Sequence, residues 1–167
     1  RILACTIDGI RVVNLYVPNG QSLESEKYEY KLNWLQALQN FLGSEIKTHK
    51  NLVVLGDFNI APDDRDVYDP EKWREDVLCS PAERAALKKI IDLGFVDVFR
   101  QFEQPEKTYS WWDYRAAGFR RNAGLRIDLI LASNNLATIC EASYIDREPR
   151  SWERPSDHTP VLAEFSA

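Results

Sequence analysis

Leu52, Val53, Val54 and Leu55 form an unbroken apolar run inside the stretch LVVLGDFNIAP. A continuous run of this length, rather than an alternating one, reads as a buried strand. The strand breaks at Gly56 and presents Asp57, Phe58 and Asn59 before it stops at Pro62. A buried strand that ends by holding out a carboxylate and an amide fits a rim where rigid backbone exposes chemical groups. Turn formation is the plainer use of the same two residues.

The rest of the chain is organised around that strand as an α/β unit. ILACTIDGIRVVNLYVP gives two strands joined at Asp8-Gly9, the dipeptide favoured in two-residue hairpin turns. From about residue 24 to Gly43, Leu32, Leu35, Leu38 and Leu42 recur at helical spacing, with Tyr28 a turn earlier. A long loop, long enough to raise the question of function, follows the buried strand. SPAE, from Ser80 to Glu83, reads as an N-cap, a first-turn proline and a capping-box glutamate, opening a helix that ends near Gly94. Shorter strands are expected at 110–114, 126–132, 142–146 and 160–165. No repeat, linker or low-complexity tract divides the 167 residues, so a single domain is expected.

Composition bounds the class. Hydrophobic residues make up 44% and charged residues 28% of the chain, ordinary values for a globular domain. No stretch reaches the run of roughly 20 apolar residues needed to cross a membrane. Cys5, Cys79 and Cys140 are scattered without metal-like spacing, which fits reduced thiols in an intracellular protein. There is no methionine, and the sequence opens inside an apparent strand, so it reads as a piece of a longer chain. A net charge of −5 argues weakly against a nucleic-acid partner, but the charge is segregated. RAAGFRRNAGLR, from Arg115 to Arg126, holds four arginines and no acid, and Arg147, Arg150 and Arg154 follow. Trp111, Trp112, Tyr114 and Phe119 beside them favour a phosphate-facing surface over a plain solvated loop.

The remaining polar residues converge on strand ends. Asp128 interrupts the apolar strand GLRIDLILAS, and an unpaired carboxylate there would be costly, so it must meet a cation, a donor or a metal. Asp157 and His158 immediately precede the last strand. A carboxylate beside an imidazole fixes its tautomer and raises its basicity. His49, within KTHKN, reads as a solvated surface residue. Asp57, Asn59, Asp128, Asp157 and His158 form an acid-rich set with no serine or cysteine nucleophile motif. Such a set suits hydrolysis of a phosphate ester with a hard divalent ion.

NLYVPNG, GDFNIAP, SWWDYR, GLRIDLILAS and SDHTPV, in this order and spacing, resemble the exonuclease III family of abasic-site endonucleases, within the endonuclease/exonuclease/phosphatase superfamily. The resemblance covers the whole chain. GDxN and SDH are shared across the superfamily, whereas SWWDYR followed by GLRID is narrower. The resemblance implies a four-layered α/β sandwich of which this chain is the C-terminal half, with a mixed or mostly antiparallel sheet and flanking helices. It implies that Asp57 is the acid–base aspartate and that Asn59 hydrogen-bonds the phosphate or the nucleophile. Tyr16 would bring its hydroxyl near the phosphate, and Asn19 would contact the substrate backbone. Asp128 and His158 would form a dyad, with either Asp57 or His158 handling the critical proton. Asp157 would bind the metal with Asp57 and Asn59, the ion being Mg²⁺ or, as a substitute, Mn²⁺. Trp111 and Leu125 would wall the pocket for an extruded, base-free sugar. Within the basic stretch, read from its charge and aromatic flanks, Arg120 and Arg121 would hold DNA phosphates.

The family begins with a half that this sequence lacks, including an early asparagine and the glutamate that is the principal metal ligand. The expected parent is an intracellular, bacterial-like DNA-repair nuclease that cuts duplex DNA 5′ of abasic sites and trims 3′ ends. The fragment alone is expected to be inactive and to expose an apolar sheet face, inviting a homodimer. A non-catalytic binding or assembly module, and a superfamily phosphodiesterase acting on a non-DNA substrate, are the competing readings.

Overall fold

Asp8 and Gly9 both adopt positive φ, +48° and +82°, the conformation that folds two strands back on each other with the right twist. They join β1 (Ile2–Ile7) to β2 (Ile10–Tyr16), as the dipeptide predicts. The computed structural model describes residues 1–166. β2 runs parallel to β3 (Leu52–Asp57), and the crossover such a pairing demands is α1 (Glu26–Thr48). Ser25 caps α1, its hydroxyl accepting from the Lys27 amide. The sequence expectation ended this helix near Gly43. The structure carries it on to Thr48 because Gly43 packs close under Leu93 and Ile46 still has core to cover.

Beyond β3 the long loop is folded rather than open. It holds a 3₁₀ turn at Asp64–Asp66 and the single turn α2 (Pro70–Trp73). Ser80, Pro81 and Glu83 then open α3 (Pro81–Ile91) with both halves of the capping box in place. Two short strands follow, β4 (Phe95–Asp97) and β5 (Asp128–Ser133), separated by the aromatic and arginine-rich segment. α4 (Asn134–Ala137) leads to β6 (Cys140–Ile145), which pairs with β7 (Val161–Phe165). The main sheet has the order β1-β2-β3-β5-β4, mixed in direction, and β6-β7 is a separate two-stranded sheet.

One face of the main sheet lies under the helices. Leu35, Leu38 and Leu42 of α1 and Leu87 and Ile90 of α3 meet Val13, Leu15, Val54, Leu129 and Leu131 in one buried cluster. Each fully buried side chain of this kind contributes about 2 kcal/mol. The other face is covered in part. Val161, Ala163 and Phe165 of β7 pack toward Val53, Ile130 and Ala132, whereas Leu3 and Ile7 of β1 remain 70% and 58% exposed. The mixed sheet with helices on one face is as expected; the second sheet over part of the other face was not, and the apolar side chains left exposed on the main sheet lie chiefly on β1.

Two other expectations change. Residues 110–114 are no strand: only Trp111 pairs, in isolated bridges to Leu125 and His158. Asp113 then accepts from the Arg115 amide and turns the chain away. The fifth strand begins at Asp128 rather than 126, because the Arg126 amide donates to Asp66 O and the Ile127 carbonyl accepts from the Phe58 amide.

Candidate active site

The parallel pairing of β2 with β3 and the antiparallel pairing of β3 with β5 bring three residues to one rim. Tyr16 lies beside Asp57, and Asp57 lies directly opposite Asp128. Gly56 makes this possible. Its φ is +133°, and a Cβ there would lie 2.0 Å from the Leu15 carbonyl oxygen, so no other residue fits before Asp57.

Asp57 is held by the residue two positions on. Its Oδ1 accepts from the Asn59 amide at 2.8 Å and its Oδ2 from Asn59 Nδ2 at 3.0 Å. Asn59 achieves this in the left-handed region, with φ +50°, which asparagine tolerates better than most residues. Its Nδ2 also donates to the Val17 carbonyl, and its Oδ1 accepts from Asn19 Nδ2 at 3.3 Å. Burial, and then the charge of Asp128, push the Asp57 carboxyl up to about 6, with His158, Asn59 and Lys31 opposing.

Asp128 is clamped from two sides. Ser110 Oγ donates to its Oδ2 at 2.7 Å and accepts from the amides of Ile127 and Asp128. His158 Nδ1 lies 2.9 Å from the same carboxylate oxygen and 3.1 Å from the other. Burial disfavours the imidazolium, but the hydrogen bond and charge of Asp128 outweigh it and raise the His158 pKa. Asp57, Asp128 and His158 present ligand atoms within 4.8 Å of one another, the only such group of three among the described residues. Ser110 was missed in the sequence, where it reads as the first residue of an aromatic segment.

The other expected residues divide. Asn19 joins the cluster through Asn59, and half-exposed Tyr16 carries the Arg1 guanidinium 4.7 Å above its ring. Asp157 stands outside the converging group, its Oδ2 accepting from Trp111 Nε1 at 2.9 Å. Of the tryptophan pair, Trp112 is fully buried, edge-on to Phe119, while Trp111 is partly exposed. Leu125 is fully buried beside Val67 and Ile127, so its side chain offers no exposed wall. Arg120 and Arg121 are exposed and form no ion pair among the described residues.

The basic island is smaller than four arginines. Arg126 is buried, with Nε 2.6 Å from Asp66 Oδ1, Nη2 2.7 Å from Asp97 Oδ2, and its guanidinium over the Phe99 ring. Arg147 and Arg150 likewise stack against Trp112, Tyr114 and Phe119, serving as props for the loop.

The sequence profile of the Endonuclease/Exonuclease/phosphatase family matches residues 3–158. Exodeoxyribonuclease III of Haemophilus influenzae is 38% identical over 164 residues, covering 93% of this chain and 61% of the relative. An exodeoxyribonuclease of Bacillus subtilis is 32% identical, covering 96% and 62%. The chain thus spans about six-tenths of the length of these relatives. Among solved structures, a Neisseria 3′ phosphatase bound to a product DNA hairpin superimposes with a TM-score of 0.98 at 48% identity, over 100% of this chain and 65% of that one. An AP endonuclease from Archaeoglobus fulgidus gives 0.94 at 43%, with the same coverage. Because the profile match runs through Tyr16, Asp57, Asp128 and His158 alike, the chain belongs to the endonuclease/exonuclease/phosphatase family.

Proposed function

We propose that residues 1–167 form the part of a divalent-metal-dependent DNA-repair nuclease that carries the phosphate-cleaving groups. The substrate is duplex DNA, cut 5′ of an abasic site or trimmed at a 3′ end, and the work is done inside the cell. The observation that carries this reading is the convergence of Asp57, Asp128 and His158 at one sheet rim. Relatives named exodeoxyribonuclease, and a structural neighbour holding a DNA hairpin, support DNA as the substrate.

The residues divide the chemistry among themselves. Asp57, with its carboxyl pushed up to about 6, can take a proton from an attacking water near neutral pH and return it. Asn59 keeps that carboxylate in one orientation. Asp128 holds His158 through Nδ1, which leaves Nε2 to face a phosphoryl oxygen, and the raised His158 pKa favours the cationic donor. Tyr16 and Asn19 contribute polar groups to the same rim, and Arg120 and Arg121 lie free to meet the DNA backbone.

The donor set fits a hard cation. Burial and then the charge of Asp128 disfavour the Asp57 carboxylate, a cost that a divalent ion would relieve, and carboxylate oxygens suit Mg²⁺. Asp57 and Asp128 belong to the converging acidic group; Asp57, Asn59 and Asp157 are assigned to the ion by the family resemblance. A bound ion would add positive charge beside the phosphoryl oxygens.

The test is cleavage of a duplex containing one abasic site by the full-length enzyme, with Mg²⁺ and with excess EDTA. Mg²⁺-dependent incision 5′ of the lesion is expected. Undiminished cleavage in EDTA, or release of inorganic phosphate from small phosphate esters with the duplex left intact, would overturn the assignment.

A further inference from the structure

Lys31 stands on the apolar stripe of α1, one turn before Leu35, and is completely buried. A charge there is costly unless every proton is used. All three are. Nζ donates to the Asn59 carbonyl at 2.7 Å, to the Asn19 carbonyl at 3.0 Å, and to Glu83 Oε1 in a close ion pair. Glu83 is itself held in place, accepting from the amides of Leu78 and Ser80 and from the Ser80 hydroxyl at the start of α3. The ammonium is therefore fixed on one side by two helices. On the other side it grips two loops, one after β2 and one after β3.

We propose that Lys31 is a positioning residue for the phosphate-cleaving rim: its ammonium sets the backbone of Asn19 and Asn59, and Asn59 in turn sets the Asp57 carboxylate. This rests on the nuclease reading above. The linkage is direct at each step. The carbonyl that Lys31 holds belongs to the left-handed Asn59, and the amide and side chain of that residue supply both donors to Asp57. Asn59 Oδ1 meets Asn19 Nδ2, so the two gripped loops also touch each other. Gly20 leaves room for the arrangement, since a Cβ there would lie 3.2 Å from Lys31 Cδ. Glu83 also caps α3, but an apolar side chain at position 31 would fill the core as well as the lysine stem does. Only the ammonium can fasten both loop carbonyls.

The experiment compares the intact enzyme with Lys31→Met, with the double variant Lys31→Met/Glu83→Gln, and with Leu87→Ala as a core substitution of α3. Lys31→Met strands the Glu83 carboxylate and melts early. The double variant removes that stranded charge and melts close to the parent, yet its kcat on an abasic duplex stays roughly 10- to 100-fold low with KM little changed, as expected for misplaced reacting groups. Leu87→Ala loses stability but keeps its kcat well below its melting temperature. Amide hydrogen exchange supplies a readout independent of activity: in the double variant the Asn59 amide exchanges faster, while the Val54 amide of β3 does not. A double variant with parental kcat, or with parental Asn59 exchange, would overturn the role of Lys31. A parent without nuclease activity would instead refute the nuclease reading and leave the exchange measurement to decide.

Discussion

Asp57 shows what a single residue reveals and hides. Its strand-end position beside Asn59 was legible in GDFN, but the load of burial and then of Asp128 was not, because Asp128 lies 71 positions away in sequence and opposite in the sheet. Ser110 escaped notice for the same reason: a serine at the edge of an aromatic segment gains meaning only when the fold brings it to Asp128. The load has a pH signature. The Asp57 carboxyl ionises at about 6 in the fold against an ordinary 3.8, so the folded chain holds this proton more tightly than the unfolded one. The associated stability is complete below about pH 4 and is lost as pH rises through about 6. Asp57→Asn escapes that loss. In EDTA near pH 8 the variant should melt higher than the parent, by at most about 3 kcal/mol, and the gain should vanish near pH 4. Its turnover should fall by several orders of magnitude with DNA affinity nearly unchanged. Equal stability at both pH values would show that burial and the Asp128 charge do not disfavour the Asp57 carboxylate.

The elements that were legible are those whose order is local. The Asp-Gly hairpin, the leucine stripe of α1, the apolar β3 and the capping box of α3 all specify themselves within a few residues. β4 is three residues long and carries no period to read. The loop after β3 owes its shape to a distant partner: Asp66, fully buried, meets Arg126 and Arg100, and Arg126 continues to Asp97. An arginine counted with the basic island is thus a staple beneath it. Asp66→Asn should weaken the fold by about 3 to 5 kcal/mol, because two cations lose their shared carboxylate in a buried setting. Urea unfolding checks this, and a loss below about 1 kcal/mol would return the network to the status of a surface cluster. The exposed part of the same segment behaves differently. Replacing Arg120 and Arg121 with alanine should leave stability intact and weaken DNA binding in every sequence context, lowering the salt slope by roughly one unit per lost phosphate contact. An unchanged slope would make both arginines merely solvated.

For the whole molecule, a mixed sheet with flanking helices was foreseen through the family resemblance, while a second sheet within this chain that covers part of the other face was not. The extent of that cover depends on where β6–β7 docks, a tertiary choice that periodicity does not encode. The ribbon shields β3 and β5 and leaves Leu3, Cys5 and Ile7 of the edge strand β1 exposed. An edge strand carrying contiguous apolar side chains is a surface that pairs or is covered. The relatives are longer than this chain, and the resemblance assigns the covering layer, with a metal-binding glutamate, to a preceding half of the fold. Residues 1–167 by themselves should therefore associate, as a two-fold dimer through this face, and should cut abasic duplex little even in millimolar Mg²⁺. Leu3→Lys with Ile7→Lys should return the mass in solution to that of a monomer without restoring cleavage, since charge blunts the edge but supplies no metal ligand. Supplying the preceding half in trans should do both, competing with the dimer and restoring Mg²⁺-dependent incision. The measurements are mass by light scattering and incision of an abasic duplex, each made with and without that half. A monomeric fragment with full activity would mean that Asp57, Asp128 and His158 hold a working metal centre with no further ligand, and that the active site is whole within these 167 residues.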